Sequence, residues 1–170
     1  MLELFVDASS LIYLGKAGAF ERIGFVDRLI ATEAVWQEAV VAGMQFGAPD
    51  ASEISSAARR GLVERRSLSR KELERAKQMR GEFGLDRGES EVLAVIDQGD
   101  IAVFDDRAAW RAAAAKGVRF ISTLHLPVLG ARMGEMGKAD ALTLLHDLAL
   151  AANPSVRLLL RLRTEIEELR

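Results

Sequence analysis

Short apolar runs alternate with stretches of helical periodicity along nearly the whole chain, and that alternation argues for a parallel sheet covered on both faces. The runs are Leu2 to Val6, Leu29 to Ala31, a start at Leu62 and Val63, Ile101 to Phe104, and Val118 to Ile121. Each is short and apolar, the pattern of a buried strand. Helical stretches follow from about Ser9 to Lys16, Glu33 to Ala42, Asp50 to near Gly61, Ser69 to about Glu82, and Glu89 to Gln98. An alanine-rich helix then stops at Gly117, in C-cap position. The pattern is helical again from Leu124 onward, interrupted at Gly134 to Gly137 and at Asn153-Pro154. Asp50 to Glu53 and Ser69 to Glu72 have the spacing of capping boxes. Gly84 and Gly88 bracket a break. No internal repeat or low-complexity linker is present. The expected class is α/β, a parallel sheet of five strands with helices on both faces.

In an open sheet of this kind, ligands sit beyond the carboxyl ends of the strands. Here those ends are acidic. Asp7 closes the first strand, and Asp105 with Asp106 closes the fourth. Glu89 opens the helix before the fourth strand, with Glu91 two residues on, and Glu38 lies in the helix after the second. Side chains two apart on a helix diverge, so Glu89 is favoured for the site and Glu91 is kept as an outer ligand. Taken singly, each acid has an ordinary role: Asp7 and Asp106 as N-caps, Glu89 complementing a helix dipole, Glu38 as a solvated residue. Taken together, crowded carboxylates raise one another's pKa and destabilise the fold unless a cation neutralises them. Hard oxygen ligands select Mg²⁺ or Mn²⁺. Such ions lower the pKa of a bound water and clamp a phosphodiester. The hydroxyls of Ser9, Ser10, Ser122 and Thr123 are candidates for holding waters or phosphate oxygens, with core and capping roles equally open.

Composition sets the remaining bounds. At 170 residues and 49% apolar, the chain is most simply one domain with a sizeable core. It has no cysteine, which excludes disulfides, thiolate zinc sites and Cys nucleophiles, and fits a reducing cytoplasm. The start MLELFVDASS lacks the basic and apolar runs of a signal peptide. No stretch approaches the ~20 apolar residues of a membrane helix, so a soluble, cytoplasmic protein without a membrane partner is expected. Net charge is −2. Between Arg59 and Arg80, however, nine basic residues face three acidic ones, a local excess of six. That segment reads either as a nucleic-acid contact or as a solvated helical face with i,i+4 pairs.

Five segments resemble a PIN domain of the DUF3368 branch: VDASSLIYLGKAG (Val6 to Gly18), LIATEAVWQEAV (Leu29 to Val40), LDRGESEVLAVI (Leu85 to Ile96), FDDRAAWRAAAAKGV (Phe104 to Val118) and, more weakly, ISTLHLPVLGARMGEMG (Ile121 to Gly137). They span roughly residues 2–150 in order. The resemblance implies a Rossmann-like three-layer α/β/α fold whose parallel five-stranded sheet has the order 3-2-1-4-5, which makes strands 1 and 4 neighbours. It also implies a PIN-like nuclease domain over residues 1–150 and a helical extension of the same domain over 151–170. Further implied is a Mg²⁺- or Mn²⁺-dependent endoribonuclease acting on single-stranded RNA, as in toxins of toxin–antitoxin pairs. By motif, Asp7, Glu38, Glu89 and Asp106 match the catalytic acids, Asp105 is a close fifth, and Asp7, Glu89, Asp105 and Asp106 are the implied metal ligands. Arg111 matches a basic position that fixes the turn or touches phosphate. Thr32 stands where a proline often precedes the second acid's helix, and His125 and Pro127 stand where the branch favours glycine and aliphatics.

The rival from another class is a catalytically silent PIN-like domain that binds nucleic acid or a partner. Asp-based phosphatase and receiver readings fail on spacing: Ser9 stands where a haloacid-type phosphatase needs its second aspartate, and Asp105 and Asp106 come too late for a receiver. Leu158, Leu159, Leu162, Ile166 and Leu169 recur at helical spacing. They form either a core-facing stripe or a docking face for a second copy or an antitoxin, and a homodimer is the expectation. His146, in an apolar run, is expected to be packed or at an interface. His125 is a weaker candidate for phosphate contact.

Overall fold

A computed structural model describes residues 2–169. Five strands, β1 (Glu3–Val6), β2 (Arg28–Thr32), β3 (Val63–Arg66), β4 (Ile101–Val103) and β5 (Arg119–Ile121), pair in parallel in the order β3-β2-β1-β4-β5. This is the expected sheet. Leu4, Val6, Leu29, Ala31, Ala102 and Val103 are almost fully buried, as strands covered on both faces require.

The helices are α1 (Ala8–Lys16), α2 (Glu33–Trp36), α3 (Gly43–Gln45), α4 (Pro49–Arg59), α5 (Arg70–Phe83), α6 (Arg87–Val95), α7 (Arg107–Ala115), α8 (Leu126–Arg132), α9 (Lys138–Ala152) and α10 (Val156–Glu168). A π-helical turn, Gln37–Ala42, joins α2 to α3. Helices α5, α6 and α7 pack together as one group; α1 packs on α4 and α9, which leads on to α8 and α10. Sheet and helices thus form three α/β/α layers.

Three expected boundaries shift, each for a local reason. Pro49 occupies the first helical position of α4, which suits its missing N–H, so Ala48 is the N-cap and the Asp50–Glu53 box does not form. Asp50 lies instead in the buried first turn against Gly15, where a Cβ would meet Asp50 Cβ at 2.9 Å. The break between Gly84 and Gly88 is present, but α6 starts at Arg87 instead of Glu89, so Gly88 lies inside its first turn, where a Cβ would stand 3.2 Å from Val35 Cγ2. That helix also ends at Val95, because Ile96 already has extended backbone.

At the C-terminus, α10 buries Leu162 and Ile166 in the chain's own core. Its stripe is therefore at least partly a packing face. Of the two roles expected for His146, packed or at an interface, the packed one does not hold. The residue is exposed on α9, beside a groove lined by Leu142, Leu145 and Leu159. Among the described residues no helix is long and apolar enough to cross a membrane.

Candidate active site

The register pairs Val6 with Val103, so the chain leaves β1 and β4 side by side and in the same direction. Asp7 is then the N-cap of α1, and its Oδ1 accepts from Ser10 N (2.8 Å) and from Ser10 Oγ. The same hydroxyl lies 3.1 Å from Val103 O and 3.3 Å from Asp105 Oδ2. One proton cannot serve three acceptors, so Ser10 pins the end of β1 to the end of β4 while leaving part of that demand unmet. Asp105 is tied to the end of β5: Thr123 N donates to its Oδ1 (3.1 Å) and Thr123 Oγ1 to its Oδ2. Asp106 turns outward and caps α7 through Ala108 N.

Glu89 reaches the same edge from α6. It is only 6% exposed, and it completes a capping box with Asp86, its Oε2 accepting from Asp86 N at 3.1 Å while Asp86 Oδ1 accepts from Glu89 N at 2.7 Å. Glu38 projects from the π-helical turn. Such turns commonly occur at functional sites because they redirect side chains.

These acids act on one another. Burial pushes the Asp7 carboxyl up to about 7, partly opposed by the Ser10 bonds and reinforced by Asp105 and Glu89. Burial likewise raises Glu89 to about 7, with further contributions from Asp86, Asp106 and Glu38. Asp105 is raised by burial against the lowering effect of Thr123 and Ser10. Glu38 is raised by lost hydration and by Asp86. Tyr13, on α1, is raised by burial and then by Asp105 and Asp7. Asp105 and Glu89 therefore both act on Asp7, with Asp106 and Glu38 close enough to influence Glu89.

A family model described as DUF3368: PIN domain matches residues 4–156. The chain belongs to the DUF3368 family of PIN domains. PIN domains are nuclease-type folds that typically use divalent metals. No curated protein and no solved structure matches this PIN domain.

Among the described residues, no three of the acids are drawn together tightly enough to grip an ion. Each is held toward its own backbone donor: Asp7 toward Ser10, Asp105 toward Thr123, Asp106 toward Ala108 and Glu89 toward Asp86. The donor chemistry nevertheless fits a hard divalent cation. It is all oxygen, it is crowded with like charge, and the described hydrogen bonds of Asp7 and Glu89 each use a single carboxylate oxygen. The second oxygen of each remains for another ligand.

Other predicted residues fall around this centre. Ser10 and Thr123 are buried and bonded to the acids. Buried Ser122 bonds to His125 Nδ1 at 2.8 Å. Ser9 is half-buried on α1, and Arg111 is exposed on α7. Burial and the nearby Arg161 hold the His125 imidazole below its ordinary pKa, so it stays neutral near pH 7. Glu91 points elsewhere. Its carboxylate is 2% exposed, accepts from Ala34 N (3.0 Å) at the start of α2, and pairs with Arg87 (2.9 Å). Thr32, at the end of β2, is fully buried, and its hydroxyl has no partner among the described residues.

Sequence reasoning missed Asp86 and Tyr13. Asp86 was visible as the first member of an Asp-x-x-Glu capping box ending at Glu89. Tyr13 stands three residues after Ser10, hence on the same face of α1.

Proposed function

We propose that this PIN domain is a Mg²⁺- or Mn²⁺-dependent endoribonuclease that hydrolyses phosphodiester bonds in single-stranded RNA. One observation carries the reading: Asp7 and Asp105 meet at the hydroxyl of Ser10 where β1 and β4 end, with Glu89 buried nearby. Burial raises all three carboxyls, and like charge adds to the rise at Asp7 and Glu89. A fold keeps such a cluster at the expense of its own stability, and clustered, strongly shifted carboxyls mark functional sites.

Asp7, Glu89, Asp105 and Asp106 are the residues that would hold the ion. When bound, it supplies positive charge to the phosphate and lowers the pKa of water. The protein's own part is positional. Ser10 fixes Asp7 and links it to β4, Thr123 fixes Asp105, and the capping box fixes the Glu89 side chain. Glu38 extends the acidic ring from the π-helical turn. Ser9, Ser122 and Arg111 lie outside the hydrogen-bonded centre, where they orient the RNA strand rather than the ion.

A second reading has its own support. Every central acid also serves a backbone N–H, which is what a catalytically silent nucleic-acid or partner-binding domain would retain. Cleavage of a generic single-stranded RNA separates the two. Wild type should cut with Mg²⁺ or Mn²⁺ and not with EDTA, while Asp7→Asn and Asp106→Asn should both fail. Cleavage that survives both substitutions overturns the assignment. As a further part of this proposal the chain is the toxin of a toxin–antitoxin pair, a role that ribonuclease activity alone does not require, with exposed Leu150, Val156 and Leu160 available to a second copy or an antitoxin. A monomer at micromolar concentration by light scattering would exclude the homodimer.

A further inference from the structure

We propose that the cleft between α7, β5 and α10 is a nucleotide subsite, which takes a base and phosphate of the RNA strand next to the bond being cut. The identity of the strand rests on the ribonuclease reading; the cleft itself does not. Its volume is about 640 Å³, and its lining includes Arg107, Trp110, Phe120, Ser122, His125 and Arg161. That volume is within the usual range of small-molecule sites, roughly 300–1,000 Å³.

Three features of the lining select a nucleotide. First, Trp110 and Phe120 stack with centroids 6.3 Å apart and planes 22° from parallel, and the Trp110 indole N–H donates to Phe104 O. The aromatic surface is thus anchored to the residue immediately before Asp105. Bases stack on such rigid aromatic faces whatever their sequence. Second, Arg107 and Arg161 are exposed and, among the described residues, neither has a carboxylate within ion-pair distance. Nearby Arg132 and Arg163 are neutralised by Glu165 and Glu167. Unpaired guanidiniums lining the same cleft as aromatic rings suit a phosphate joined to a planar group. An acidic peptide would satisfy the charge but leave the aromatic surface unmatched.

Third, the cleft leads to the acids. A smaller cavity of about 130 Å³ is lined by Asp105 and Tyr13 and shares Trp110, Ser122 and Leu158 with the cleft. A strand lying over the carboxylates would pass through this neck. The acidic centre repels a polyphosphate, so attraction has to come from beside it, and Arg107 directly follows Asp106 in the chain.

Binding can be read apart from catalysis. The chain has two tryptophans, so Trp36→Phe leaves Trp110 as the sole indole reporter. In EDTA, a short oligouridylate should quench its fluorescence saturably. Phe120→Ala and Arg161→Ala should each weaken binding on the order of tenfold. Arg161→Ala should also reduce the salt slope by about one. Arg163→Ala, on the same helix but paired with Glu167, should change neither. Unchanged affinity in both cleft variants, with native circular dichroism, overturns the subsite. So does equal weakening by Arg163→Ala, or a cleft that takes an oligoglutamate peptide and ignores the RNA. If the oligonucleotide binds as expected but Mg²⁺ or Mn²⁺ gives no cleavage, the subsite stands and the enzymatic reading falls. If RNA is cut with KM unchanged in both cleft variants, the reverse holds.

Discussion

The sheet handles charge in opposite ways at two places. Around β3, on the outer edge, charges are partly or well exposed and several are paired. Arg65 reaches Glu33 at 2.8 Å and lies 4.8 Å over the Trp36 ring, Arg28 reaches Glu64 at 2.7 Å, and Arg66 reaches Glu72 at 2.9 Å. These contacts hold Glu33 below its ordinary pKa, chiefly through Arg65, and Glu72 down to about 2, chiefly through the Ser69 backbone N–H. At the end of β1 and β4, Asp7 and Glu89 are buried, have other carboxylates as neighbours, and are pushed up. Within the basic segment from Arg59 to Arg80, the residues on and beside β3 (Arg65, Arg66 and Arg75) find carboxylate partners, whereas among the described residues the acids at the end of β1 and β4 have no cationic partner. Chemistry belongs where the fold leaves charge unsatisfied, and the number of charged residues in a segment is a poor guide to that.

The strongest way to break the contrast is a pair of variants two residues apart. Glu89→Gln keeps a residue able to close the capping box, so stability should hold or rise. Cleavage with Mn²⁺ should nevertheless fall on the order of 10²–10³-fold in kcat/KM. Glu91→Ala should do the reverse, retaining kcat while lowering stability by about 1–3 kcal/mol, because Ala34 N and Arg87 lose a buried acceptor. Steady-state kinetics beside urea denaturation reads both. Equal activity in the two variants would erase the distinction between them.

The pH dependence should differ in sign between the two places. Asp7 and Glu89 have folded pKa values raised from 3.8 and 4.5 to about 7, so the folded state holds extra protons across that interval. Stability without added metal should fall as pH rises from about 4 to 7. The loss should reach as much as several kcal/mol, since each tenfold difference in proton affinity between folded and unfolded chain is worth roughly 1.4 kcal/mol. Asp7→Asn should flatten that slope. Mg²⁺ should raise Tm more at pH 8 than at pH 5, where protons compete for the same oxygens. Glu33 and Glu72 act oppositely. Their depressed values contribute stability that is present above pH 4.5 and is lost as pH falls. A Tm profile that rises steadily from pH 5 to 8 in EDTA would contradict the acidic edge described here.

The smallest effect belongs to the matched edge. Arg65→Ala removes an exposed ion pair and a cation–π contact, and should cost about 1 kcal/mol or less with no change in cleavage. A large loss of RNA cleavage there would shift the functional surface toward β3.

Much of the fold was legible because its determinants are local. Strand and helix periods, the Ser69–Glu72 box and the Gly117 stop are each written in a few neighbouring residues, and all appear in the structure. Where local rules competed, reading faltered. Pro49 displaced a plausible cap at Asp50, and α6 starts two residues before Glu89, with Gly88 packed closely against Val35. In the site, the positions of the acids were readable, but their partners were not. Glu91 and Glu89 look alike in sequence, and only the approach of α2 gives one of them a donor.

The sequence by itself determined the alternating elements and the placement of acids at strand ends, since both follow from residue order along short segments. Tertiary structure decided which charges meet. Ser10 joins residues 93 and 95 positions away, Trp110 and Phe120 come together to form the aromatic wall of the cleft, and Arg65 finds Glu33 across two strands. Such pairings depend on sheet register and helix packing, which place side chains to within an ångström, and no short window of sequence holds that information.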